Sequence, residues 1–157
     1  MNLRSRSSKA HMQEWITHNE QETEQLGAKI VRSVSTPAVF CLYGELGAGK
    51  TALVRGMARG LGLSCTVSSP TFTIVNEYLG DRELIHFDMY RLSSADELFE
   101  IGWEDYLRRD AVLAVEWSEN VEEAFDGSEY RIHLDKLSET DRRITMEGAQ
   151  INADTCV

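Results

Sequence analysis

The sequence lacks the apolar run of about 20 residues that a helix needs to cross a bilayer, so we expect no membrane partner. Its first dozen residues are basic and serine-rich and contain no apolar stretch, which argues against a secretory signal peptide. We therefore expect a disordered tail over residues 1–12. The remaining residues, 13–157, are enough for one domain with a hydrophobic core of its own.

Cysteine is also scarce. The three cysteines, Cys41, Cys65 and Cys156, are odd in number and share no spacing typical of metal ligands. This pattern argues against a disulfide framework and predicts a reducing, cytoplasmic location. Cys41 lies in an apolar run, and we expect it to be a buried small hydrophobe instead of a reactive thiol.

Positive charge is in deficit. The chain has 16 lysines and arginines against 26 aspartates and glutamates, which gives a formal net charge of −10. Because an acidic surface repels the phosphate backbone of nucleic acids, direct charge-driven binding to DNA or RNA is disfavoured.

Apolar patterning predicts seven strands. Two of them, residues 38–44 and 111–117, are continuous apolar runs, which are typical of strands buried on both faces of a parallel sheet. The other five show shorter or alternating patterns; they span residues 14–17, 71–78, 82–92, 130–135 and 142–147. Gly80-Asp81 is typical of a hairpin turn, and the last two strands are predicted to form a second hairpin.

Three helices are predicted between these strands. Residues 20–34 follow Asn19, a typical N-cap, and residues 50–61 carry apolar side chains at helical spacing. A short helix over residues 93–102 ends at Gly102. Buried strands that alternate with helices predict an α/β fold of the P-loop NTPase type. We expect a largely parallel central sheet, flanked by helices, with antiparallel edge strands.

A glycine-rich stretch follows the first buried strand. Residues 44–51, GELGAGKT, match the phosphate-binding pattern G-x-x-x-x-G-K-[ST], with a strand before it and a helix after it. Glycines let successive backbone N–H groups converge on phosphate oxygens, Lys50 would bind the β- and γ-phosphates, and the Thr51 hydroxyl would bind Mg²⁺. The residues expected to contact the nucleotide here are Gly44, Glu45, Leu46, Gly47, Ala48, Gly49, Lys50, Thr51 and Ala52. Because no N-K-x-D motif for guanine is present, adenine is favoured, and ATP with Mg²⁺ is the expected ligand.

Two carboxylates are candidates for the metal side of this site. Glu116 ends a buried strand, where ligands bind in open α/β sheets. Asp88 lies in an apolar strand, where an unpaired charge is costly, so it either pairs with Arg91 or binds the metal. His86 has the same face parity as Asp88 and could orient it, although a satisfied core histidine is the favoured interpretation.

Thr71, in SSPTFT, is the first hydroxyl after Pro70. It could sense the γ-phosphate as switch loops do, or it could belong to an ordinary turn. Trp117 follows Glu116 directly, and its fluorescence could report nucleotide binding.

Five stretches together resemble the TsaE (YjeE) family of small bacterial P-loop ATPases. They are GELGAGKT, SPTFTIVNEY, HFDMYRL, DELFEIG and VEWSE, in this order, and the resemblance covers roughly residues 13–147. It implies that Lys50 acts in catalysis, that Asp88 is the Walker B-like catalytic and metal-side acid, and that Glu116 is a second metal-side carboxylate. It also implies that Thr71 belongs to a switch segment.

The resemblance implies further contacts and one departure. His18, Glu20 and Arg142 correspond to adenine-side contacts of the family. The family usually has a second threonine where this chain has Ala52, so one hydroxyl on the α-phosphate side is absent.

The function implied by the resemblance is ATP hydrolysis, slow alone and stimulated by partners, in a complex with the TsaB and TsaD proteins. That complex forms threonylcarbamoyladenosine at adenosine 37 of tRNA, and the partners, not this acidic chain, would hold the tRNA. Two alternatives stay open on the residues: a small-molecule kinase on the same fold, and a nucleotide-gated binding module without hydrolysis.

Overall fold

A computed structural model describes residues 12–148. Residues 1–11 of the predicted tail, and Cys156 with the rest of the C-terminus, lie outside the described residues. The described chain forms a seven-stranded sheet in the order β1-β7-β6-β2-β5-β4-β3. The strands are β1 (Gln13–Thr17), β2 (Ala38–Tyr43), β3 (Val75–Tyr78), β4 (Glu83–Asp88), β5 (Ala111–Glu116), β6 (Tyr130–Lys136) and β7 (Arg142–Glu147).

The four central strands are parallel and the outer pairs are antiparallel. β2 pairs in parallel with both β5 and β6, and β4 pairs in parallel with β5. β1 with β7, β7 with β6, and β3 with β4 are antiparallel. The predicted fold class, a largely parallel α/β sheet with antiparallel edge strands, is therefore confirmed.

Side chains of the central strands alternate between two cores, one on each face of the sheet. Phe40 and Leu42 of β2 pack with helix residues such as Leu53 and Met57. On the other face, Phe87 of β4 packs in a separate cluster. Burial on both faces explains why these strands are apolar throughout. Cys41 is fully buried, as predicted.

Two long helices cover one face. The described helices are α1 (Glu20–Arg32), α2 (Lys50–Gly60), α3 (Ala95–Ile101) and α4 (Trp103–Leu107), with a 3₁₀ helix over Ser118–Ala124. α1 begins as predicted, because the Asn19 side chain accepts a hydrogen bond from the Glu22 N–H at 2.8 Å. α1 and α2 approach so closely that a Cβ at Gly56 would lie 1.8 Å from the Glu24 carbonyl oxygen.

The second hairpin is confirmed, and the first is shorter than predicted. The strand predicted over residues 71–78 begins only at Val75, because the Ile74 N–H bonds back to the Pro70 carbonyl and turns the chain. Its partner, predicted over residues 82–92, ends at Asp88. The sequence patterns also missed α4 and the 3₁₀ helix over Ser118–Ala124.

Candidate nucleotide-binding site

The glycine-rich loop connects the end of β2 to the start of α2. Gly44, Gly47 and Gly49 have φ angles of 155°, 83° and 106°, which other residues adopt only with strain. A Cβ at Gly44 would lie 2.8 Å from the Leu134 carbonyl oxygen, whereas one at Gly47 would meet nothing within 4 Å. The loop therefore packs tightly at its base and is open at Gly47.

The N-terminus of α2 is left free for an anion. Gly49 is its N-cap, no side chain among the described residues caps it, and its first turn carries no acidic residue. The first backbone N–H groups of a helix lack intrahelical partners and lie at the positive end of the helix dipole. This end of α2 therefore suits a phosphate group.

Lys50 is folded back onto the loop. Its Nζ donates hydrogen bonds to the carbonyl oxygens of Gly44 and of Glu45, the latter at 3.2 Å, and lies 4.1 Å from the centroid of the Trp117 ring. Burial lowers the pKa of Lys50, and the nearby carboxylates, with Glu116 the strongest, oppose this shift. A poorly solvated ammonium group close to open N–H groups favours binding of a phosphate.

The two predicted carboxylates lie side by side at the carboxyl edge of the sheet. Asp88 ends β4 and Glu116 ends β5, and the two are register partners. Both are buried, each 3% exposed. The Thr51 hydroxyl donates to Oε2 of Glu116 at 3.0 Å, so the first turn of α2 and the end of β5 meet at this point.

Asp88 is held by the segment that was predicted to act as a switch. Its Oδ2 accepts hydrogen bonds from the hydroxyls of Ser69 at 3.1 Å and Thr71 at 3.0 Å, and its Oδ1 accepts from the Tyr90 N–H at 2.9 Å. Among the described residues Asp88 forms no ion pair with Arg91. The interpretation that pairing with Arg91 explains the burial of Asp88 is therefore wrong.

His86 contacts the other carboxylate. It is fully buried, and its Nε2 lies 2.6 Å from Oε2 of Glu116. The alternative in which His86 orients Asp88 is wrong, because Asp88 follows two residues later on the same strand, whereas Glu116 comes from the neighbouring strand β5. The interpretation as a satisfied core histidine is also incomplete, since Nδ1 has no hydrogen-bond partner within residues 12–148.

These groups surround a cleft of about 570 Å³, a size ordinary for a ligand pocket. The residues that line it are Glu20, Leu46, Gly47, Ala48, Gly49, Lys50, Thr51, Ala52, Arg55, Ser69, Thr71, Asp88, Tyr90, Glu116 and Trp117. The structure thus brings most of the predicted site residues together around one space.

A second cavity of about 230 Å³ lies beside the first and shares Glu20, Gly47, Gly49 and Ala52 with it. Arg142 lines it and donates a hydrogen bond to the Gly47 carbonyl at 3.1 Å. His18 is not among its lining residues; its Nδ1 instead lies 3.3 Å from Asp141. Of the three predicted adenine-side residues, the structure brings Glu20 and Arg142 to this cavity.

The donor groups fit the predicted ligands. Within the described part of the chain, no three His, Cys, Asp or Glu side chains are clustered as a protein-only metal site. Mg²⁺ does not need such a cluster, because it usually takes one or two carboxylates together with substrate phosphates and waters. Thr51, Glu116 and Asp88 match that requirement, and the loop amides match the phosphates.

Three residues of the cleft were missed in the sequence. Ser69 shares Asp88 with Thr71, and its position two residues earlier in SSPTFT was the available signal. Arg55 lies one helical turn after Thr51 and is bound to Glu24 at 2.8 Å. Tyr90 packs against Trp117, with ring centroids 5.0 Å apart.

The loop, the helix that follows it and the facing carboxylates place the chain in the P-loop NTPase-like class of proteins. Comparison with known proteins narrows the class. The family model described as "Threonylcarbamoyl adenosine biosynthesis protein TsaE" matches residues 17–144. The chain belongs to the TsaE family.

Individual relatives agree with this assignment. The "tRNA threonylcarbamoyladenosine biosynthesis protein TsaE" of Bacillus subtilis is 38% identical over 133 residues, which cover 83% of this chain and 82% of that protein. The protein of the same name from Treponema pallidum is 35% identical, with 83% and 97% covered. A crystal structure of YdiB from Bacillus subtilis superposes with a TM-score of 0.77 at 29% identity, covering 92% of this chain and 90% of that one.

None of the helices within residues 12–148 combines the length and the apolar character that a membrane span requires.

Proposed function

We propose that this protein binds and hydrolyses ATP as the ATPase subunit that supports formation of threonylcarbamoyladenosine in tRNA. The observation that carries the proposal is the loop between β2 and α2, with the Lys50 side chain folded back onto it and the Thr51 hydroxyl donating to Glu116. Relatives named for threonylcarbamoyladenosine biosynthesis support the pathway.

The residues of the cleft divide the work. The loop amides and Lys50 bind the phosphates, for which Lys50 exchanges its present carbonyl partners for phosphate oxygens. Thr51, Glu116 and Asp88 would hold Mg²⁺, which neutralises charge on the phosphates when bound. Asp88 is also the group we assign to orienting the attacking water, because its Oδ2 already accepts hydrogen bonds from hydroxyl groups.

Base recognition is assigned to the second cavity. Glu20 and Arg142 line this cavity. Because Ala52 has no hydroxyl, we assign the hydrogen bonds to the α-phosphate to backbone N–H groups. His18 stays in the proposal as a residue at the rim of this cavity. Its Nδ1 lies 3.3 Å from Asp141, which stands in sequence between Thr140 and Arg142 of the cavity wall.

Hydrolysis by this chain alone is proposed to be slow. Thr71 and Ser69 occupy Oδ2 of Asp88, so the catalytic carboxylate is engaged with the switch segment until that segment moves. We propose that the TsaB and TsaD proteins supply the contacts needed for faster hydrolysis. Groups supplied in trans raise the rate of P-loop NTPases by about 10³–10⁵-fold. The net charge of −10 fits a role in which tRNA is held by the partners.

We further propose that the protein works in the cytoplasm, where tRNA is modified, and that residues 13–157 act as one domain. The two cores lie on opposite faces of one continuous sheet, which supports a single folding unit.

The decisive experiment measures phosphate release from ATP with and without purified TsaB and TsaD. We expect weak release alone, a rise of at least tenfold with both partners, and loss of the rise in Lys50→Ala. Product analysis separates the alternatives, because a phosphorylated metabolite would indicate a small-molecule kinase. Nucleotide binding without any release of phosphate, with partners present, would indicate a binding module and refute hydrolysis.

A further inference from the structure

His86 has an unusual set of surroundings for a buried histidine. It lies on β4 between Ile85 and Phe87, all three are fully buried, and its Nε2 is 2.6 Å from Oε2 of Glu116. Its other ring nitrogen, Nδ1, is buried and has no hydrogen-bond partner among residues 12–148. The contact with Glu116 is therefore the one polar interaction that the described structure gives this ring.

The contact with Glu116 indicates which nitrogen carries a hydrogen. Because an ionised carboxylate only accepts hydrogen bonds, we assign Nε2 as the donor in the contact with Glu116. In the opposite tautomer, Nδ1 would bury an unpaired N–H, and two lone pairs would face each other across 2.6 Å. The ring is therefore assigned a hydrogen on Nε2.

Packing alone does not explain a histidine at this position. Both neighbours on β4 are apolar, and an imidazole in such a place costs more to desolvate than a leucine of similar volume. The contact offsets that cost only through Glu116, a residue that lines the nucleotide cleft. The polar partner of His86 among the described residues is therefore a residue of the cleft.

The hydrogen bonds to Glu116 are arranged asymmetrically. Both His86 and the Thr51 hydroxyl reach the same oxygen, Oε2, at 2.6 Å and 3.0 Å. The other oxygen, Oε1, receives no hydrogen bond from the described residues. With Oε2 held by two protein groups, Oε1 is the oxygen of Glu116 that has no hydrogen bond from the described residues.

We propose that His86 is a positioning residue that holds Oε2 of Glu116 and thereby presents the carboxylate to Mg²⁺ bound with a nucleotide. The inference rests on the proposed nucleotide site, and it concerns a residue that touches neither nucleotide nor metal. Polar groups behind a metal ligand typically change metal affinity by 10–100-fold when they are removed.

The first test separates metal-dependent from metal-independent binding. A non-hydrolysable ATP analogue is titrated into the parent, His86→Gln and His86→Leu, once with Mg²⁺ and once with EDTA. Because the amide of glutamine can still donate to Oε2, His86→Gln should stay within about threefold of the parent in the Mg²⁺ concentration it requires. His86→Leu should need about tenfold more Mg²⁺ or greater, with its affinity in EDTA unchanged.

The outcomes distinguish failure of the positioning role from failure of the proposed nucleotide site. A His86→Leu protein that matches the parent, or that loses affinity equally with Mg²⁺ and with EDTA, would overturn the positioning role. A parent protein that binds no analogue under either condition would instead refute the proposed nucleotide site. His133→Leu is the matched control, because that histidine is exposed on β6 and stacks on Tyr43; it should leave the Mg²⁺ requirement unchanged.

The second test needs neither metal nor variant. Long-range ¹H–¹⁵N correlation spectra of the imidazole nitrogens in the metal-free parent report where the hydrogen lies. A hydrogen on Nε2 of His86 supports the assignment. A ring with no hydrogen on Nε2 would rule out donation to Glu116, and the positioning role would fall even if His86→Leu failed to fold.

Discussion

The contact between α1 and α2 gives a prediction whose size can be worked from the structure. In Gly56→Ala the new Cβ would lie 1.8 Å from the carbonyl oxygen of Glu24 and 2.7 Å from its Cα. Such contacts are essentially never shorter than 3.0 Å. Because both obstacles are backbone atoms, the helices must move apart by about 1 Å or bend.

The energetic terms oppose each other. Alanine in place of glycine stabilises a helix by about 1 kcal/mol. Overpacking typically costs about 1–3 kcal/mol, and a clash with backbone lies at or above the upper end of that range. Displacement also strains the ion pairs that Glu24 forms with Arg55 at 2.8 Å and Arg59 at 2.6 Å. We expect Gly56→Ala to lower the free energy of unfolding by about 2 kcal/mol.

Urea unfolding followed by circular dichroism measures this loss. Gln25→Ala, an exposed change on α1, is the control and should stay within about 0.5 kcal/mol of the parent. Because α2 begins at Lys50, the displacement should also weaken nucleotide binding. A Gly56→Ala protein as stable as the parent would show that the two helices do not touch at this point.

Three further predictions follow from the cleft and the core. Lys50→Ala should abolish binding of ATP in calorimetry while circular dichroism stays unchanged, and retained binding would contradict the role of the loop. Nucleotide should change the tryptophan emission, because the Lys50 ammonium leaves the Trp117 ring when it binds phosphate; Trp117→Phe should remove this change, and a change that persists would place its source elsewhere. Burial raises the pKa of the Cys41 thiol to about 12, so at pH 8 iodoacetamide should alkylate exposed Cys65 and spare Cys41 until the protein unfolds, as read by peptide mass spectrometry. Labelling of Cys41 in the folded protein would contradict its burial.

The phosphate loop was predictable because its geometry is local. Eight consecutive residues contain the glycines that need positive φ, the lysine and the threonine, so no long-range contact has to be inferred. The strands β2 and β5 were predictable for a related reason, since burial on both faces of a sheet leaves a continuous apolar run.

The contacts of His86 were not predictable in the same way. Its partner Glu116 is 30 residues away, and the two meet because β4 and β5 pair in parallel. No spacing in the sequence encodes that pairing. Parity along one strand suggested Asp88 instead, which shares a strand with His86 but not a contact.

The first hairpin shows how a turn can override strand propensity. Residues 71–78 are rich in threonine and apolar side chains, which favour a strand. Ile74 nevertheless has a φ of 73°, rare for a β-branched residue, and its N–H bonds to the Pro70 carbonyl. Its own carbonyl accepts the Asp88 N–H at 2.9 Å, so this tertiary contact stabilises the turn where local preference would not.

The hydroxyls of Ser69 and Thr71 both donate to one oxygen of Asp88, and Phe72, the residue directly after Thr71, is 87% exposed. One carboxylate oxygen offers about two lone pairs, so a cation arriving at that atom must compete with the hydroxyls already there. Displacement of the Ser69 and Thr71 hydroxyls from Asp88 would also move the backbone that carries them. The exposed ring of Phe72, next to Thr71 in the chain, would then change position when a cation replaces the hydroxyls at Asp88.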